Sequence, residues 1–204
     1  MLRVGLTGGI ACGKSTVAAL LVARGAHVLA ADSLAHQLYA PGNITYDEVV
    51  RRFGREILNP DGTINRTKLA NAVFPDRIAE LNAIVHPGVI EAQKQWMTEM
   101  ERADPHGIAV VEAALIFEAA VEKDFDRMIV VTCDLEQKVQ RYALRTGMSP
   151  ELARGEIERR SAAQLSDQEK ARRADYVIEN SGSIQELERP VDAIWKELQA
   201  LAAN

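Results

Sequence analysis

Short apolar runs alternate with longer stretches of helical periodicity along this chain. Residues 3–7 are apolar and close on Gly8 and Gly9, and a small-residue segment from about 13 to 24 reads as the helix that follows. Residues 27–31 form a second strand-like run ending at Asp32. An apolar strand, a Gly-rich turn and a helix in that order begin a parallel α/β sheet. Residues 33–39 and 46–53 read as helices separated by the breaker Pro41-Gly42-Asn43. Asn59-Pro60-Asp61-Gly62 marks a turn, and Asn65 caps a helix over 66–73. Helical patterning resumes after Pro75, is interrupted at His86-Pro87, and runs on to about Arg102.

Beyond Asp104-Pro105-His106-Gly107 the strand signal returns. Residues 108–111 and 128–131 are buried-strand runs, and residues 135–145 are helical. Ser149-Pro150-Glu151 joins a cap, a first-turn proline and an acid, a strong helix start. A last strand spans 175–179, and a final helix over 183–201 is expected to break at Pro190. Strand signals thus cluster at both ends and in the middle, whereas residues 36–104 are almost all helical. That block reads as an insertion between two parts of one sheet. There is no internal repeat.

Composition narrows the class. The 204 residues are 47% hydrophobic and 26% charged, which is ordinary globular usage and argues against a disordered or fibrous chain. No apolar run approaches the roughly 18 residues of a spanning helix, and the first residues lack signal-peptide order, so no membrane association is expected. Two cysteines, Cys12 and Cys133, are too few for a disulfide scaffold and fit a reducing cytoplasm. The net charge of −5 argues against a general nucleic-acid binder. Within this acidic chain, residues 138–173 hold nine basic and five acidic residues, which points to an anionic ligand nearby. Lys138, Arg141 and Arg145 fall on one helix face by spacing. Pairing with Asp134, Glu156 or Glu158 would account for much of the run.

The sharpest signal is Gly8-Gly9-Ile10-Ala11-Cys12-Gly13-Lys14-Ser15. Glycines let successive N–H groups converge on phosphate oxygens, and the helix that opens at Gly13 directs its positive end at the same anion. Lys14 reaches the β- and γ-phosphates, and the Ser15 hydroxyl coordinates Mg²⁺. Cys12 lies just before a helix start, which lowers a thiol pKa and predicts sensitivity to thiol reagents. No Asn-Lys-x-Asp base-recognition segment is present, so a GTPase is disfavoured. The pattern fixes a nucleoside triphosphate as ligand and leaves the reaction open, with a small-molecule kinase favoured over a non-catalytic ATP-binding switch. Glu112 ends the run 108–111, where an acid associated with Mg²⁺ often sits; a solvated strand end is the stronger reading there.

With these pieces placed, the chain resembles the dephospho-CoA kinase family over nearly its whole length. The resemblance rests on Leu6-Thr7-Gly8-Gly9-Ile10 leading into Gly13-Lys14-Ser15-Thr16-Val17-Ala18, and on Val28-Leu29-Ala30-Ala31-Asp32 followed by Ala40-Pro41-Gly42. It continues through Asn82 to Pro87, Leu115-Ile116-Phe117-Glu118, and Arg160, Gln164 and Glu169-Lys170. It ends with Ala174-Asp175-Tyr176-Val177-Ile178-Glu179-Asn180. What it implies is an α/β phosphate-loop fold of the nucleoside-monophosphate-kinase type. The implied core is 1–35, 105–137 and 174–204, with an acceptor-binding insertion at 36–104 and a lid at 138–173.

The implied reaction is ATP-dependent phosphorylation of the ribose 3′-hydroxyl of dephospho-CoA, the final step to coenzyme A. Another small-molecule or nucleotide kinase of the same architecture is the alternative. By resemblance Asp32 orients the acceptor hydroxyl and takes its proton, Lys14 and Arg141 stabilise the transferring phosphoryl group, and Thr16 and Asn180 join Gly8 to Ser15 in holding ATP. Three positions depart from the family pattern. Ala30 stands where the first carboxylate of Asp-Ala-Asp is usual, Ala114 replaces a proline, and Cys12 replaces a frequent serine. If the missing carboxylate serves Mg²⁺ or the acceptor, metal affinity falls. The oligomeric state stays open, with a monomer favoured.

Overall fold

The computed structural model describes every residue except Pro75 and Asn204, and all remaining side chains except those of Asp32, Ala35 and His36. Five strands form one sheet: β1 (Leu2–Gly8), β2 (His27–Ala30), β3 (Ile108–Glu112), β4 (Arg127–Thr132) and β5 (Tyr176–Glu179), in the order β2-β3-β1-β4-β5. β1 lies between β3 and β4, parallel to both, with Leu6 opposite Glu112 and Ile129 and Gly8 opposite Val131. β4 in turn pairs in parallel with β5, Val131 opposite Ile178. A strand flanked on both edges and covered on both faces must be apolar throughout, which is why the run beginning at Val4 reads as continuous.

Helices α1 (Lys14–Ala23) and α9 (Ile184–Ala202) cover one face. Val4, Leu6, Val17, Leu21, Val131, Ile178, Val191 and Leu198 share one core cluster there, and all are buried. The Ser183 side chain and the Glu186 carboxylate cap each other's backbone at the start of α9. The expected break at Pro190 does not occur. A mid-helix proline removes one hydrogen bond and costs about 3 kcal/mol. The stripe Leu187, Val191, Ile194 and Leu198, buried on both sides of it, offsets that cost.

Residues 30–98 form a second compact unit, distinct from residues 1–29 and 99–204. It contains α2 (Ala31–Leu38), α3 (Ile44–Phe53), α4 (Arg66–Val73) and α5 (Ile78–Ala103) as far as Thr98. Its core is built from Val49, Phe53, Ile57, Leu69, Val73 and Val85. The Asn65 side chain caps α4 at Lys68, as its position predicts, and Asn43 caps α3 at Thr45. The helix α5 passes through Pro87 without the interruption expected at His86-Pro87. The strand at 27–31 also ends a residue early, because the helix begins at Ala31 rather than Ser33.

Between β4 and β5 run three helices, α6 (Leu135–Thr146), α7 (Pro150–Ala162) and α8 (Asp167–Arg172). Asp134 and Ser149 cap the first two, Pro150 standing at the start of α7 as its residue type predicts. Their small core, Val139, Tyr142, Ala153 and Ile157, packs on Ile10 and Ala11 of the glycine-rich loop.

Because Leu198 is fully buried against the sheet while Leu144 on α6 is 87% exposed, Leu198→Ala should cost about 2–5 kcal/mol and Leu144→Ala less than about 0.5 kcal/mol. Equilibrium urea unfolding of the two variants measures the contrast, and equal midpoints would contradict this core.

Candidate active site

The loop leaves the sheet at Gly8, where a side chain would collide with the backbone carbonyl of Val131 on β4. Gly8 also has φ of +151°, open to glycine but rare for other residues. Gly13 closes the loop at φ +89°, and there a Cβ would strike the Asn180 amide. Between them Ala11 adopts φ +57°, a left-handed conformation that costs a non-glycine residue about 1 kcal/mol. Packing of Ile10 and Ala11 against the α6–α7 core holds it in place. Lys14 Nζ donates to the carbonyls of Gly8 (3.1 Å) and Gly9 (3.0 Å), so its ammonium lies along the loop. Ser15 and Thr16 are exposed at the start of α1, which is where a ligand could meet their hydroxyls.

The far side of the loop is pinned by residues distant in sequence. Asn180 is buried just beyond β5, and its Nδ2 donates to the Cys12 carbonyl at 2.8 Å. Its Oδ1 accepts from Arg141 Nη2 at 3.4 Å, and Arg141 Nη1 reaches the same Cys12 carbonyl at 3.5 Å. Cys12 itself is fully buried. Its thiol pKa is held down at about 7, chiefly by its hydrogen bond with Cys133, whose own pKa is pushed up by that bond and by burial. The acidity expected from the helix start therefore has a different principal source. With no exposed surface on Cys12, the expected sensitivity to thiol reagents does not follow from the folded form.

Most of the basic run from 138 to 173 is neutralised locally. Arg154 pairs with Glu136, Arg159 and Arg160 with Glu156, and Arg172 and Arg173 with Glu169. Arg145 lies over the Tyr142 ring at 5.2 Å, so the shared face divides: Lys138 and Arg141 turn to the loop and Arg145 does not. Lys138 Nζ is bonded to the Asp167 carboxylate. Burial is the largest single influence and works to lower the Lys138 pKa, but the hydrogen bond to Asp167 together with the fields of Cys12, Asp167 and Cys133 raises it on balance, so the ammonium stays charged. No sequence motif marks Asp167 as a site residue, although Ser166-Asp167-Gln168-Glu169 carries the cap-and-acid spacing of a helix start.

A second buried pair anchors the base of α8. Lys170, with no exposed side-chain surface, bonds Glu118 at 2.9 Å and donates to the Ala114 carbonyl at 3.1 Å. Glu118 also accepts from the Leu165 backbone N–H at 2.9 Å, and Thr7 donates to the same Ala114 carbonyl at 3.2 Å. The segments Leu115-Ile116-Phe117-Glu118 and Glu169-Lys170, far apart in sequence, thus meet behind the loop. Glu112 ends β3, half-buried, opposite Leu6. Asp32 is the second residue of α2, whose capping position is Ala30, so it is not the helix cap. Its side chain lies outside the described residues.

A sheet of this strand order, with a phosphate loop after its central strand and two cationic side chains brought to that loop from an adjoining helix, defines a small phosphate-loop kinase. The comparisons specify the family. The family model for dephospho-CoA kinase matches residues 2–186. A dephospho-CoA kinase of Symbiobacterium thermophilum is 41% identical over 95% of this chain and 80% of its own. A Thermus thermophilus crystal structure superposes with TM-score 0.78 at 36% identity, covering 97% of both chains. A dephospho-CoA kinase from Campylobacter jejuni, at 22% identity and TM-score 0.63 over 96% of each chain, shares the fold. The chain belongs to the dephospho-CoA kinase family and is a phosphotransferase.

Asn180→Asp puts a carboxylate where an amide N–H now meets the Cys12 carbonyl. The Cys12 carbonyl then loses the closer of its two donors and faces a carboxylate oxygen instead, and stability should fall by about 1–3 kcal/mol. Chemical denaturation with and without ADP checks this, and an unchanged midpoint in both would show that Asn180 does not hold the loop.

Proposed function

We propose that the chain transfers the terminal phosphoryl group of ATP to the ribose 3′-hydroxyl of dephospho-CoA, completing coenzyme A. The observation that carries this reading is the loop from Gly8 to Ser15, set at the end of the central strand of a dephospho-CoA kinase family member. In such transfers the protein contributes position and charge far more than covalent chemistry. The Lys14 ammonium, resting on two loop carbonyls, can exchange them for β- and γ-phosphate oxygens. Arg141, placed on the Cys12 carbonyl and Asn180, supplies a second cation beside the loop.

The residues present also suit Mg²⁺ shared with the substrate. Ser15 offers one hydroxyl, and the described residues contain no group of three or more His, Cys, Asp or Glu able to form a protein cage. One protein ligand plus phosphate oxygens and water is how this ion is usually held in kinases. When bound there it neutralises charge on the β- and γ-phosphates. Asp32 is assigned to the acceptor hydroxyl, orienting it and accepting its proton as the new bond to phosphorus forms. Residues 36–104 are read as the acceptor-binding insertion and 138–173 as the lid. No helix among the described residues is long and apolar enough to cross a membrane. A cytoplasmic setting is part of the same reading.

Two substitutions test the assignments. Lys14→Ala should leave the fold intact and lower kcat/KM for dephospho-CoA more than about a hundredfold, because the phosphates lose their central cation. Near-normal turnover by the folded variant would sink the site. Asp32→Asn should lower kcat by about 10²–10⁴ while ATP affinity changes little. Recovery of the rate with added Mg²⁺ would reassign Asp32 to the metal, and a wild-type rate at ordinary Mg²⁺ would remove it from catalysis. Running the same assay with shikimate and nucleoside monophosphates as acceptors tests the substrate; turnover of one of these in place of dephospho-CoA overturns it.

A further inference from the structure

Three side chains gather directly above Gly9. A Cβ built on that glycine would stand 2.7 Å from Asp167 Oδ1, 3.2 Å from Cys12 Sγ and 3.3 Å from Lys138 Nζ. Asp167 thus brings a carboxylate against the backbone of a loop whose glycines, lysine and helix start all favour an anion. It is largely shielded, with about a quarter of its side chain exposed, and Lys138 keeps only 12%. The pair is therefore less screened than the surface pairs of α7, and its charges act strongly on whatever occupies the loop. Asp167 Oδ2 holds Lys138 and lies 4.0 Å from the Cys12 thiol. Its place is fixed from behind, because the Lys170–Glu118 pair anchors the same short helix.

We propose that Asp167 is a tethered competitor for the phosphate site: it and a bound phosphate contend for one ammonium, that of Lys138, over Gly9. This rests on the nucleotide reading of the loop given above. Taken with the paired carboxylate, Lys138 contributes no net charge to the loop. Released to a phosphate oxygen, it becomes a third cation alongside Lys14 and Arg141. Asp167 then stands close to a polyanion and repels it. The device weakens nucleotide binding while reserving a cation for the ligand, and it favours departure of ADP once transfer is complete.

The competition predicts that removing the carboxylate charge tightens binding. ADP affinity is measured calorimetrically on the full chain in EDTA, so that no metal-ligand role of Asp167 contributes. Asp167→Asn should bind ADP roughly three- to tenfold more tightly than wild type, the size expected for removing one unit charge at such range. Asp167→Ser should do the same, guarding against an effect of asparagine itself. The gain should shrink at high salt. Lys138→Met should weaken binding, and in its background Asp167→Asn should gain much less, since the contested ammonium is gone. Equal or weaker binding by both Asp167 variants overturns the proposal. A full gain in the Lys138→Met background overturns the exchange and leaves plain repulsion. If wild type binds no ADP and Lys14→Ala changes nothing, the nucleotide reading fails and this inference with it.

Discussion

The site depends on how the chain leaves β1. At Gly8 the backbone comes so close to the Val131 carbonyl that no side chain fits, and the loop must turn over the end of the sheet. That constraint decides which other residues meet it. The registers of β4 and β5 place Val131 beside Gly8 and Ile178 beside Val131, so the residues just past those strands, Cys133 and Asn180, arrive under the loop. One loop carbonyl, that of Cys12, then receives both the Asn180 amide and the Arg141 guanidinium. A loop able to surround phosphate must keep its N–H groups aimed inward, and holding its carbonyls from outside is a direct way to do so.

Charge near the loop is selected by geometry rather than by amount. The basic stretch following β4 holds many cations, but most meet a carboxylate within a turn or two of helix or across the α6–α7 pair. Exposed pairs of that kind contribute little to stability, and their fields are screened. The two cations that turn to the loop, Lys138 and Arg141, do so because they stand one turn apart on α6, whose apolar side is fixed against Ile10 and Ala11. The same packing that shapes the loop therefore aims the charges at it.

Much of this was legible in the sequence. Strands with continuous apolar runs, the glycine-rich loop and the asparagine and serine caps carry local signals, and the structure has each of them. Prolines misled: the rule that they end helices is local, whereas the stripes around Pro190 and Pro87 are tertiary and prevail. The helix at Asp167 has only six residues, which give almost no periodicity, so its cap spacing is the one local signal it carries. The Lys138–Asp167 and Lys170–Glu118 pairs join segments whose proximity depends on strand order, which spacing does not encode. The source of Cys12 acidity was beyond reach for the same reason, since Cys133 comes beside it only through β1–β4 pairing.

The position of β1 in the middle of the sheet also bears on how the chain is made. Its two neighbours begin at Ile108 and Arg127, so Leu2–Gly8 has no partner strand until about a hundred further residues have been translated. At about 5–20 residues per second, that is roughly 5–20 s during which an apolar strand emerges from the ribosome with both edges open. Helices α3 and α4, whose contacts are local, can form and pack during that interval. The central strand, made before the other four, waits longest for a partner, so the nascent chain depends on protection of that segment before its sheet can close.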